Sequence, residues 1–115
     1  MLAAGLSAQA PDPGALQQQA REAMASGRFD EAAAKYRQLV AQMPQVGGLR
    51  MNLGLALFQA RKYKLASTEL QTALRLEPGL TPAAMMLGIC HAKLGEPLLA
   101  VPLLERASRV EPGNP

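Results

Sequence analysis

Pro44, Pro78 and Pro112 stand 34 residues apart, and the same step brings many other positions into register. It aligns Ala32 with Ala66 and Ala100, Tyr36 with Leu70 and Leu104, Ala20 with Gly54 and Gly88, and Leu39 with Ala73 and Ala107. The second and third copies also share Leu53/Leu87, Arg75/Arg109, Glu77/Glu111 and Gly79/Gly113. No insertion interrupts the register. A period of this length marks a repeat architecture, in which one supersecondary unit cannot bury its apolar face alone and must stack on its neighbours.

Each unit reads as helix, turn, helix, turn. Alanine and leucine dominate, both favour helix, and no segment has the alternating β-branched pattern of a strand. In the second copy the spacing predicts a first helix from about Leu49 to Ala60, a turn at Arg61-Lys62-Tyr63, and a second helix from about Lys64 to Leu76. Glu77-Pro78-Gly79 should end that helix, Pro by failing to continue it and Gly by accepting a left-handed cap. Gly27 and Gly95 mark the inner turns of the other copies, and Gly47-Gly48 reads as a turn between repeats. Pro97 suits a helix entrance, and Pro102, one turn further on, should bend its helix slightly.

These features resemble the tetratricopeptide repeat family: Leu53-Gly54, Ala66-x3-Leu70 and Pro78 in one copy, and Leu87-Gly88, Ala100-x3-Leu104 and Pro112 in the next. The first copy matches more loosely through Ala20, Ala32-x3-Tyr36 and Pro44. The family's first two aromatic positions hold Leu16, Arg50 and Ala84, then Ala23, Leu57 and His91, which implies weaker packing there. The resemblance implies an all-α fold of three helical hairpins, residues 13–46, 47–80 and 81–114, stacked as a right-handed superhelical solenoid behind a leader of residues 1–12. It implies that Ala20, Gly54 and Gly88 face Ala32, Ala66 and Ala100 where paired helices cross. Leu53, Leu57, Leu70 and Leu74 should bury around that contact.

The resemblance also implies a concave groove lined by first-helix residues. Here those are Gln17, Gln18, Arg21, Met24 and Ala25; then Met51, Asn52, Leu55, Phe58 and Gln59; then Met85, Met86, Ile89, Ala92 and Lys93. From these, Arg21, Met24, Met51, Asn52, Leu55, Phe58, Met85, Met86 and Ile89 are expected to form the peptide-binding surface. Some family members clamp a partner's terminal carboxylate with Lys, Asn and Arg. Gln17, Arg21, Pro82 and Met86 depart from that clamp and only Asn52 matches it, so a different peptide or helix is the expected protein partner. The methionines supply side chains that repack around different ligands, or else serve the stacking of neighbouring repeats.

Other chemistry finds little support. The net charge is +3, with basic residues scattered among acids, and no basic run flanks aromatics as a nucleic-acid reader needs. Cys90 and His91 are adjacent on a helix, so they point about 100° apart and cannot readily grip one metal. Both align with packing positions, and no third residue stands out to orient His91. Glu69, Glu77, Glu105 and Glu111 read as solvated. There is no phosphate-binding glycine loop, and neither a cofactor nor enzymatic activity is expected. One cysteine does not decide the compartment.

No apolar run reaches the ~18–20 residues that span a bilayer. Ala8-Gln9-Ala10 fits the small-x-small pattern before a signal-peptidase cut, whereas no Lys or Arg precedes it and Pro11 follows at once. Two accounts stay open: the remnant of a signal peptide, implying a periplasmic or secreted protein, or a disordered leader on a cytoplasmic one. The last hairpin is rich in Leu98, Leu99, Val101, Leu103 and Val110 where terminal repeats normally turn polar. It suggests self-association through that end, or repeats that are accessory to a longer protein.

Overall fold

The computed structural model describes residues 10–109. Most of the leader, and the third copy's Val110, Glu111, Pro112 and Gly113, lie outside that span. Six helices follow in order: α1 (Pro13–Ala25), α2 (Phe29–Gln42), α3 (Gly47–Gln59), α4 (Tyr63–Leu76), α5 (Thr81–Lys93) and α6 (Pro97–Arg109). Among the described residues there is no strand. Each helix packs on the next in the chain, and α3 also touches α5, with no comparable contact between second helices. First helices therefore lie on the inner, more crowded side of a right-handed solenoid, and second helices on the outside.

The termini follow from local chemistry. Asp12 caps α1, its carboxylate accepting a hydrogen bond from the Ala15 amide at 2.9 Å, with Pro13 at the first helical position where a missing N–H is harmless. Pro97 opens α6 in the same way, and the helix continues through Pro102 to Arg109. The three inner turns close identically. The Arg28, Lys62 and Glu96 amides donate to the carbonyls of Ala23, Leu57 and His91, at 2.8, 2.9 and 2.8 Å. The residue before each is left-handed: Gly27 at φ 76°, Arg61 at φ 64° and Gly95 at φ 74°. This is the Schellman closure, which needs one left-handed residue just past the helix end.

Three sequence expectations require correction. Gly47 and Gly48 are not a turn but the first two residues of α3, and Gly47 is buried. A β-carbon on Gly47 would lie 2.8 Å from the Glu77 carboxylate, so the glycine serves close approach between the start of α3 and the end of α4 within one hairpin. Tyr63 belongs to α4 and not to the preceding turn, since Arg61 alone reverses the chain. Gly79 does not adopt a left-handed cap; α4 ends on an extended Glu77 whose amide bonds Ala73.

The core runs along the seam between the two helix layers, and small residues decide its geometry. A β-carbon on Gly54 would lie 2.8 Å from Leu70, and one on Gly88 2.8 Å from Leu104, with the Ala66 and Ala100 carbonyls at 3.5 and 3.3 Å. The paired helices thus cross at the small positions. Leu53, Leu57 and Leu70 are fully buried around the crossing, and Leu74 packs on its edge. Burial of each such leucine contributes about 1.5–3 kcal/mol. Leu16, Ala23, Leu57, Ala84 and His91, which replace the family aromatics, are all buried; only Arg50 is not.

Candidate functional site

The inner face is built by α1, α3 and α5, and the expected groove residues all lie on these helices. Their burial is graded. Met24, Met51, Asn52, Leu55, Phe58, Met86 and Ile89 are half-buried, while Arg21 is exposed and Met85 is 46% exposed. Met24, Met51, Phe58 and Met86 rest one flank on the core. Met24, Met51 and Met86 thus lean on the core and keep part of their side chains open to solvent, whereas Met85 is exposed and not packed on it.

The groove runs at one edge into a cleft of about 460 Å³ lined by Phe29, Phe58, Gln59, Arg61, Tyr63 and Lys93. Phe58 and Tyr63 meet edge to face there, ring centroids 5.5 Å apart at 63°. Such an edge-to-face pair is a favoured aromatic geometry, and it sets two rings among the polar side chains of the cleft. The cleft sits over the inner turns, where α3 ends and α4 begins. Phe58, Gln59 and Lys93 are among the residues that the family resemblance implies for the groove; Phe29, Arg61 and Tyr63 are not. A signal existed: Arg61 interrupts the column that Gly27 and Gly95 otherwise fill.

The charges along this turn edge are arranged unequally. Asp30 pairs with Lys62 at 3.0 Å, Glu31 with Arg28 at 3.3 Å, and Glu96 with His91 at 2.8 Å. Arg61 and Lys93 have no ion-pair partner among the described residues.

Two expectations about polar residues are revised. His91 is oriented after all: its Nδ1 lies 2.8 Å from the Glu96 carboxylate, which the Schellman turn swings back beneath the ring. The ring is buried, so the pair acts as a latch across the third inner turn. Glu69 is not solvated but half-buried, its carboxylate accepting from Arg50 at 3.1 Å across α3 and α4. Cys90 is fully buried, and burial pushes its thiol up to about 11. A thiol held protonated in apolar surroundings is a poor nucleophile. Among the described residues no group of three His, Cys, Asp or Glu side chains is placed to hold a metal ion, and no helix is long and apolar enough to cross a membrane.

Comparison with known proteins agrees with the repeat fold. A curated relative, an Hsp70-Hsp90 organizing protein of Triticum aestivum, is 28% identical over 92 residues, covering 80% of this chain; the chain spans only 16% of that protein. Among solved structures, MamA superposes with a TM-score of 0.84 at 23% identity, over 95% of this chain and 64% of that one. The first tetratricopeptide domain of Spaghetti (RPAP3), bound to the HSP90 peptide SRMEEVD, superposes with a TM-score of 0.83 at 24% identity, over 92% of this chain and 84% of that one. At these identities the structural likeness establishes the fold. The family model described as "Surface lipoprotein assembly modifier, N-terminal TPR repeats" matches residues 9–89. A 34-residue period, small residues at each helix crossing and a match over most of the chain converge: the chain belongs to this family of tetratricopeptide repeats.

Proposed function

We propose that the chain is a recognition scaffold that binds a peptide or helical segment of another protein along its inner face, through Arg21, Met24, Met51, Asn52, Leu55, Phe58, Met85, Met86 and Ile89. The observation that carries the reading is the apolar strip of α3 and α5. Met51, Leu55, Phe58, Met85, Met86 and Ile89 lie on the first helices α3 and α5 and stay partly or wholly open beside a core formed by other residues. Apolar side chains about one helical turn apart on adjacent helices suit an amphipathic helix or a peptide with spaced anchors. The Spaghetti domain, bound to an HSP90 peptide, supplies a precedent for peptide binding on this fold.

The test is binding of peptides selected from a displayed random library. Phe58→Ala should weaken binding roughly tenfold or more, since interface energy concentrates in large buried side chains, and should leave the helix content unchanged. Lys35→Gln and Arg37→Gln, on α2 and thus the outer layer, should have little effect. The opposite pattern would place the interface on the convex side.

A second reading concerns context. The family description names surface lipoprotein assembly and an N-terminal position for the repeats, which favours an accessory recognition module of a longer assembly protein acting in the periplasm or outside the cell. Fractionation of cells expressing the full-length gene tests that placement; protein found wholly in the cytoplasm would reject it. The exposed Leu98, Leu99 and Val101 of α6 supply the surface through which a second copy would associate. Sedimentation of a clean monomer at high concentration would reject that self-association.

A further inference from the structure

We propose that the cleft at the inner-turn edge is a second recognition subsite, which takes an acidic side chain and a neighbouring aromatic side chain of the same bound peptide. This inference rests on the groove reading and deepens it by assigning partner chemistry.

Three independent features meet in the cleft. The first is backbone strain at Arg61. All three repeats close their inner turn with a left-handed residue; two use glycine, and the second holds arginine at φ 64°. Left-handed backbone is costly for a residue with a β-carbon, and nothing in the turn requires one, because Gly27 and Gly95 make the same hydrogen bonds. Such strain persists where the side chain has a use. The second is charge. Asp30 and Glu31 pair with Lys62 and Arg28, and the Glu96 carboxylate is held by the His91 ring, whereas Arg61 and Lys93 on the cleft wall have no ion-pair partner among the described residues. The third is the set of rings: Phe29, Phe58 and Tyr63 are half-buried and line the same depression beside the polar Gln59, Arg61 and Lys93.

Cations beside ring faces fit a carboxylate next to an aromatic group: the carboxylate pairs with the guanidinium, and the ring packs against Phe58 and Tyr63. The ligand is a stretch within a chain and not a chain end. Phe58, Gln59 and Lys93 belong to the groove lining as well as to the cleft, so a peptide along the groove continues across the cleft.

The experiment selects peptides from a random twelve-residue library against the whole chain, with the library's C-termini fused so that only side chains supply carboxylates. The wild type should enrich Asp or Glu beside Phe, Tyr or Trp, together with apolar anchors. The selected peptides should bind Arg61→Gly roughly tenfold more weakly, as loss of a charge-assisted contact implies, and the difference should shrink at high salt. The same variant should melt higher, because glycine relieves the turn. A merely structural Arg61 would show the reverse, a lower melting temperature with unchanged affinity. Lys93→Met should weaken binding in the same sense. Enrichment of purely apolar peptides, with affinity indifferent to Arg61→Gly and Lys93→Met but lost in Leu55→Ala, would overturn the subsite and leave the groove intact. Failure to enrich any peptide would overturn both.

Discussion

Arg61 is the residue at which conformational cost is most visible. Its position is filled by glycine in the flanking repeats, and the hydrogen bonds around it are those of its neighbours. Arg61→Gly should therefore stabilise the chain by about 1 kcal/mol, the usual difference for a left-handed site, readable as a higher urea midpoint at unchanged slope. Cys90 poses the converse case. Its thiol pKa is raised by burial from 9.0 to about 11, so the folded state resists deprotonation that the unfolded chain accepts. Burial raises Tyr36 as well, with the Arg21 charge opposing it. The stability from Cys90 is complete below pH 9 and is lost as pH climbs from there through about 11, on the order of 2 kcal/mol in all. Cys90→Ala should flatten that part of the alkaline profile, leaving the Tyr36 component. A thiol reagent should label Cys90 only as fast as the third repeat opens; rapid labelling of the folded protein would contradict its burial.

At the scale of the element, the two glycine crossings look alike in sequence but are not equivalent. A β-carbon at Gly54 meets a Leu70 that is fully enclosed, whereas one at Gly88 meets a half-buried Leu104 that can turn aside. Replacing helical glycine by alanine gains about 1 kcal/mol of propensity in either place. Overpacking costs about 1–3 kcal/mol where the neighbour cannot move. Gly54→Ala should thus destabilise, and Gly88→Ala should fall near the wild type; equal losses by thermal melting would show that Leu104 is as confined as Leu70. The α3–α4 hairpin carries one further constraint, the half-buried Arg50–Glu69 pair, in which the Arg50 Nε has no partner. Glu69→Ala should cost about 1–3 kcal/mol, because it leaves the guanidinium partly desolvated without its carboxylate.

Across the whole molecule, contacts are sequential, so each repeat is held by its own hairpin and by its neighbours. Burial falls off toward the C-terminal end. Helix α2 buries Ala32, Ala33, Tyr36, Leu39 and Val40, whereas α6 buries only Ala100 and Ala107 and carries Pro102 in its interior, with Leu98 89% exposed. Native-state hydrogen exchange should therefore show α6 opening at the lowest free energy of the six helices and the α2–α4 seam at the highest. Uniform protection along the chain would mean that the repeats unfold as one unit.

The 34-residue period was sufficient to establish the architecture, because a repeat that cannot bury its own face admits stacking as the one way to form a core. The family resemblance that the period brought into view also assigned Gly54, Gly88, Ala66 and Ala100 to the helix crossings, where a close approach needs small side chains at fixed register. Tertiary structure decided what local pattern leaves degenerate. Gly47 resembled a turn residue, and its role depends on Glu77, thirty residues away, reaching over it. Glu69 resembled a solvated acid until the fold brought Arg50 beside it, and His91 seemed to have no orienting partner until the third inner turn brought Glu96 to its ring. The edge cleft belongs to the same class: Phe29, Phe58, Arg61 and Lys93 come from three repeats, and only stacking gathers them around one depression. Periodicity reports which face of a helix is inside, whereas charge pairing and concavity depend on distances between helices that no single repeat contains.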